Sequence, residues 1–421
     1  MKNMGEMGLT IFRKCYIIIH NLGKSIDPYK VFYEVFMAGR KLALQTSYVR
    51  EYNIKLITSC LYQEPLSCME LSKKIGISDV GIRKIIKELE SKNIVRLSVE
   101  RNEIRTHGNQ HIRYEINRDF GFFIIIDFTK PRETFAFYDF AGDKIYSEGF
   151  TPPQEYADEK ELKTLIRRIK QRIKEYGLNN KRVLNVTMAV TGQVDEENRC
   201  FIHSGRFKIF EGDEKGRIYQ IFEDAFNAPV IMKNNVTFMA LGENEVEGFE
   251  SKYGMSLFLY VGYGIATSVL HNGKALSGWR GYAGEIGYNK FENGESLFSN
   301  VTVSYMIQKC KPYLKTADID GLKEAYKENE AVKEIVLNGA KLLAYSIGNI
   351  INLLGVDVIM LYGENFDLGE EYLGVIREEI EENSVTKAKI MFAHLKNPAV
   401  EGALSVARTK IIEEVIEQRY Q

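Results

Sequence analysis

Residues 122–150 read FFIIIDFTKPRETFAFYDFAGDKIYSEGF, and this stretch decides the fold. Phe122–Asp127 is an apolar run closed by a carboxylate, Thr134–Asp139 alternates, and Gly142-Asp143 supplies a turn before Lys144–Phe150. Short runs of this kind, punctuated by turn residues, predict a three-strand meander. Glu159–Tyr176 then has helical spacing, and Val183–Val190 is a further buried-strand run. Strand, strand, strand, helix, strand is the opening of an actin-type α/β fold.

Working outward, 421 residues are enough for two or three domains at roughly 100–200 residues each. With 45% hydrophobic and 27% charged residues, the chain has the composition of an ordinary globular protein, which excludes disordered, collagen-like and disulfide-scaffold classes. The longest apolar runs, Tyr16–Ile19 and Phe122–Ile126, fall far short of the ~20 residues of a membrane span, so no membrane partner is expected. No secretory leader pattern opens the chain, and the five cysteines (Cys15, Cys60, Cys68, Cys200, Cys310) never form a CxxC pair. Reduced thiols, a cytoplasmic location and no zinc site are the expectation.

The net charge of −1 hides an asymmetry. Residues 1–120 carry 20 Lys/Arg against 13 Asp/Glu, and the remainder 36 against 44. The basic third has its own pattern. Ile54–Tyr62 predicts a short helix ending near Pro65. Ser67 and Glu70 form a capping box opening a helix Met69–Ile75 that stops at Gly76. Ser78 caps the next helix, Asp79–Lys92, whose Ile82, Ile85, Ile86 and Leu89 define a buried face. Arg83, Lys84 and Lys87 lie opposite. Two β-like runs, Ile94–Val99 and Ile112–Ile116, flank a polar segment containing Arg101, Arg105, His107, Asn109 and Gln110. Residues 47–118 therefore read as a winged helix-turn-helix for double-stranded operator DNA. Ser78, Asp79 and Val80 stand where bases are read, Arg83, Lys84 and Lys87 beside phosphates, and Arg101, Arg105 and Asn109 on the wing. Residues 1–46 form a separate extension in which Val31–Phe36 and Lys41–Leu44 look helical.

A run of motifs then resembles the ROK family (repressors, open reading frames and kinases), in its regulator branch. Arg50-Glu51-Tyr52-Asn53 resembles the entry to the first DNA-binding helix, and Thr191-Gly192-Gln193-Val194-Asp195 the family's PGxVD turn. Asn234–Glu243 (NNVTFMALGE) resembles NDANxxALGE, Val261–Gly278 the glycine-rich hairpin, and Gly281–Tyr288 (GYAGEIGY) the GxAGEIGH signature. Leu343–Gly363 and Asn397–Ala407 resemble the closing segments. The resemblance spans nearly nine-tenths of the chain and implies that residues 119–421 form a two-lobed actin-like ATPase/sugar-kinase (ribonuclease H-like) body. It also implies a homo-oligomer, dimer or tetramer, with a sugar effector.

The departures from the family pattern matter as much. Asn235 stands where family kinases place their base, and a neutral amide cannot take a proton near pH 7. The first phosphate loop reads Asp127-Phe128-Thr129-Lys130-Pro131 without glycine, the second reads Gly262-Tyr263-Gly264, and Gly363-Glu364 puts a carboxylate on the adenosine side. Tyr288 replaces the zinc-binding His, and Asn289–Ser299 contains neither Cys nor His. The expectation is a regulator of carbohydrate-related genes, probable repressors being the branch it resembles, with no catalytic residue, cofactor or metal. The alternative is a sugar kinase with an accessory DNA-binding domain, using Glu243 or Asp195 as base. Of the family's sugar contacts, Asn234 and Glu285 remain, Asn235 and Tyr288 are altered, and Phe298 replaces a Glu. His203, Arg206, Trp279 and Arg280 are additions. Trp279 reads either as a core residue or as a plate for a sugar face, and the arginines as solvated or as holders of an acidic group. An ordinary hexose, an acidic or modified sugar, and no ligand all stay open.

Overall fold

The computed structural model describes residues 43–98, 112–129, 133–151, 156, 158–204, 207–208, 215–247 and 252–417. The chain begins there with helix α1 (Ala43–Gln63), strand β1 (Leu66–Ser67), helices α2 (Cys68–Ile75) and α3 (Asp79–Ser91), and strands β2 (Val95–Leu97) and β3 (Arg113–Ile116). The capping box forms as the sequence predicts: Ser67 Oγ accepts from the Glu70 amide at 3.2 Å, and Glu70 accepts from the Ser67 amide at 2.8 Å. Gly76 ends α2 at φ +79°, where a side chain would be strained. Ile82, Ile85, Ile86 and Leu89 are buried against Ile54, Ile57, Leu61 and Leu71. The small sheet has the order β1-β3-β2, all antiparallel. Two points differ from the sequence reading. The described part of α1 runs from Ala43, so residues 46 and 47, on either side of the boundary read from the sequence, lie in one helix. Strand β1 was not expected, being two residues long and defined only by its pairing with β3.

The body contains two five-stranded sheets. The first joins β4 (Phe122–Asp127), β5 (Glu133–Asp139), β6 (Lys144–Phe150), β7 (Val183–Val190) and β10 (Val230–Asn234) in the order β10-β7-β4-β5-β6. The meander is antiparallel, while β7 and β10 add in parallel after helices α4 (Glu159–Glu175) and α5 (Arg217–Phe226). Phe122, Ile124 and Ile126 pack toward those helices, whereas Phe123 and Ile125 face the opposite layer. A sheet covered on both faces explains the uninterrupted apolar run at 122–126. Between β7 and α5 lies the hairpin of β8 (Gln193–Asp195) and β9 (Cys200–His203).

Helix α6 (Asn235–Glu247) leads into the second lobe: β11 (Met255–Val261), β12 (Ile265–His271), β13 (Lys274–Ala275), helices α7 (Val303–Cys310), α8 (Ile319–Glu328) and α9 (Glu330–Leu354), β14 (Val358–Tyr362), α10 (Glu370–Asn383) and β15 (Lys389–Phe392). Its sheet runs β13-β12-β11-β14-β15, parallel across β11-β14-β15. The last helix, α11 (Pro398–Ile416), lies along α6 at backbone contact. A Cβ at Gly402 would strike the Phe238 carbonyl, and one at Gly242 would lie 2.7 Å from the Pro398 carbonyl. Helix α11 also carries the N-terminal head. Lys55 pairs with Glu413 at 2.7 Å, Lys92 Nζ donates to the Val415 carbonyl at 2.9 Å, and Arg408 sits 4.9 Å from the Tyr62 ring centroid. Among the described residues no helix is long and apolar enough to cross a membrane.

Candidate ligand cleft and nucleic-acid face

The basic face of α3 is built by its own periodicity. With four branched apolar residues buried on one side, Arg83, Lys84 and Lys87 are exposed on the other. Ser78 Oγ accepts from the Gly81 amide at 3.3 Å and fixes the start of the helix. Asp79 receives the Arg83 Nε at 2.6 Å, one turn along, so Arg83 is held against the helix. Val80 is 78% exposed, a large apolar side chain at the helix entrance with little packed on it. The turn of the β2–β3 ribbon, including Arg101, Arg105, His107, Asn109 and Gln110, lies outside the described residues, as does Arg206. So does the helical reading at Val31–Phe36, whereas that at Lys41–Leu44 lies partly outside, its last two residues forming the described start of α1.

The cleft residues converge around the end of β10 and the start of α6. Asn234 Nδ2 donates to the Gly192 carbonyl at 2.9 Å, while its Oδ1 accepts from the Val236 amide at 2.8 Å and caps α6. Asn235, 5% exposed, donates to Thr129 Oγ1 at 3.0 Å. Thr129 in turn gives both its amide, at 2.9 Å, and its hydroxyl, at 2.5 Å, to Asp127. Burial pushes the Asp127 carboxyl upward against those two bonds. The first-lobe turn is thus closed by its own side chains.

Glu285 approaches from the second lobe. Gln193 and His203 lie beside it, and burial raises its pKa more than these two neighbours lower it. His203 faces Gln193 in the β8–β9 register. Asp195, two residues along β8, is held below the ordinary carboxylate range by the Asn198 side chain and amide, with Arg280 Nε adding at 3.5 Å. Hence Asn234, Asn235, Glu285 and His203 come together, and Arg280 joins them through Asp195. Sequence reasoning missed Gln193, although it is the one long amide in the Thr191–Asp195 turn. It is 5% exposed, and among the described residues its Oε1 has no hydrogen-bond partner.

Trp279 is 77% exposed, which removes its reading as a core residue. It begins a 3-10 turn, Trp279–Gly281, and stacks on Tyr282 with ring centroids 6.0 Å apart and planes 17° apart. Tyr288 is 65% exposed, and Phe298 packs edge-on against Tyr305 at 5.6 Å. Phe298 offers no hydrogen bond in place of a Glu, whereas Tyr288 keeps a hydroxyl.

On the second lobe, the Glu364 carboxylate covers Gly262 so closely that a methyl there would overlap it, and it accepts from Tyr260 Oη at 3.2 Å. Both bases nominated for the kinase alternative are engaged elsewhere. Glu243, 1% exposed, accepts the backbone amides of His394 and Leu395 at 2.7–3.1 Å, and Asp195 is occupied as described. Among the described residues no three His, Cys, Asp or Glu side chains are placed to share a metal.

Comparison with known proteins agrees with this architecture. A xylose repressor of Caldicellulosiruptor bescii is 22% identical over 374 residues, 82% of this chain and 92% of that protein. In fold, the chain is similar to a ROK family transcriptional regulator homologous to the E. coli MLC protein, with a TM-score of 0.70 at 16% identity over 88% of this chain and 99% of that one. A ROK hexokinase from Thermus thermophilus aligns with a TM-score of 0.56 at 18% identity, over 69% and 99%. The sequence profile of the ROK family matches residues 126–409, spanning both lobes and the cleft between them, and the chain belongs to the ROK family.

Proposed function

We propose that the chain is a transcriptional repressor of carbohydrate-related genes, whose head binds operator DNA as a winged helix-turn-helix and whose body senses a sugar without phosphorylating it. The observation that carries this reading is a continuous mechanical connection. Helix α6 begins at Asn235 in the cleft, lies at backbone contact along α11, and α11 supports α1 and α3 of the head. A ligand that binds one lobe arrangement better than another would shift the head by that differential affinity. In a two-fold dimer the shift changes half-site spacing without altering any base contact. The similarity to a xylose repressor over most of both chains supports the same reading.

Arg83, Lys84 and Lys87 would neutralise phosphates, with Val80 placed for an apolar base contact. The test is selection of genomic fragments with the purified protein, followed by titration of the recovered site at two salt concentrations. Arg83→Ala with Lys87→Ala should weaken operator binding at least tenfold and reduce the salt slope by about 2. Wild-type affinity in that double variant would remove α3 as the DNA-reading helix.

The sugar-kinase alternative draws on the fold shared with the hexokinase. Against it stand a buried amide at Asn235, a carboxylate over Gly262, and the engagement of Glu243 and Asp195. An ATPase-coupled assay with hexoses and amino sugars decides between them. Turnover abolished by changing Glu285 would establish the kinase.

A further inference from the structure

We propose that the cleft continues outward into an aromatic subsite formed by Trp279 and Tyr282, and that the effector is a disaccharide or longer glycoside of neutral pyranoses. This rests on the sugar-sensing reading and specifies its ligand.

Two groups of residues lie side by side on β8. Gln193 lies beside Glu285, and Asp195 pairs with Arg280, which is adjacent to Trp279 and lies 5.8 Å from its ring centroid. Two residues along a strand are about 7 Å apart, the scale of one sugar ring. The inner group is polar and incompletely satisfied. Gln193 is almost wholly buried, and among the described residues its Oε1 meets no donor, which leaves an acceptor for a ligand hydroxyl.

The outer group is aromatic and open. Tyr282 is 41% exposed, and Tyr288, beside both Glu285 and Tyr282, is 65% exposed. The Trp279 turn is also fixed in shape. Arg280 and Gly281 sit at φ +50° and +79°, and a Cβ on Gly281 would strike the Val194 carbonyl. A non-glycine residue persists at such a φ only where its surroundings impose it. An immobile aromatic plate presented to solvent offers stacking area to the apolar face of a ring at little entropic cost. A single pyranose would occupy the inner polar group alone; a glycoside with equatorial hydroxyls would occupy both.

Trp279 is the only tryptophan in the chain, so its emission reports on this subsite in the full-length protein. Cellobiose and xylobiose would be titrated against glucose and xylose, with calorimetry in parallel. The expected result is a blue shift and protection from iodide quenching with a disaccharide but not with its monomer. Trp279→Ala should weaken disaccharide binding at least tenfold and leave monosaccharide binding unchanged, with Trp279→Phe restoring part of the loss. Disaccharide binding by calorimetry with unmoved emission and an unaffected Trp279→Ala variant would overturn the aromatic subsite while keeping a sugar sensor. Absence of binding by every sugar would overturn the sensor reading and this inference together.

Discussion

The turns that follow the first strand of each lobe face the same cleft and are closed by different means. In the first lobe, Asp127 and Thr129 satisfy one another locally, and Asn235 joins from the start of α6. In the second, Gly262 is covered by Glu364, which follows β14 and lies far along the chain. Each turn has a carboxylate nearby, Asp127 in the first and Glu364 in the second. The first closure is readable from neighbouring residues; the second exists only because β11 and β14 pair in parallel.

The most damaging test removes what the two lobes share. Gly402→Val puts a side chain into the Phe238 carbonyl at the α6–α11 contact, where backbone leaves no space. The expected loss is about 3 kcal/mol or more, read as a lower Tm in thermal unfolding. An unchanged Tm would mean that α6 and α11 can part without cost.

Asp127→Asn tests the first turn. Burial raises the folded pKa of Asp127, so its favourable contribution is full below the unfolded value of about 3.9 and is lost as pH rises through the folded value. The variant should therefore be more stable than the wild type at neutral pH, with a Tm higher by a few degrees, and the two should converge near pH 3. A variant less stable at neutral pH would show that the two Thr129 bonds outweigh desolvation.

Glu364→Gln is the mildest test and addresses the second turn. Burial and then the Glu364 carboxylate disfavour ionisation of Tyr260 and Tyr263, raising the pKa of both. Removing the charge should move both phenols part of the way back, visible as an earlier rise of phenolate absorbance on alkaline titration. An unaltered titration curve would place the carboxylate's influence elsewhere.

Local patterns carried much of this structure into the sequence. Ser67, Glu70 and Gly76 announce α2, and the Val183–Val190 strand has the bounds its apolar run predicts, because caps and apolar periods act over a few residues. The cleft was legible as a set of residue types: Asn234, Asn235 and Glu285 could be named. Their contacts could not. Whether Trp279 was core or surface depended on the turn that Asp195 anchors through Arg280, and Gln193 gains its meaning only beside Glu285. Such pairs are set by tertiary packing, which no local period encodes.

Glu243 has a structural task that does not depend on any reaction. It ends the NNVTFMALGE segment, and its carboxylate holds the amides of His394 and Leu395 just before α11. Losing it would leave buried amides without an acceptor, whether or not any reaction occurs nearby. A signature residue of this kind records ancestry and architecture. On the proposed reading, Asn235, eight residues earlier in the same segment, separates a sensor from a kinase better than Glu243 does.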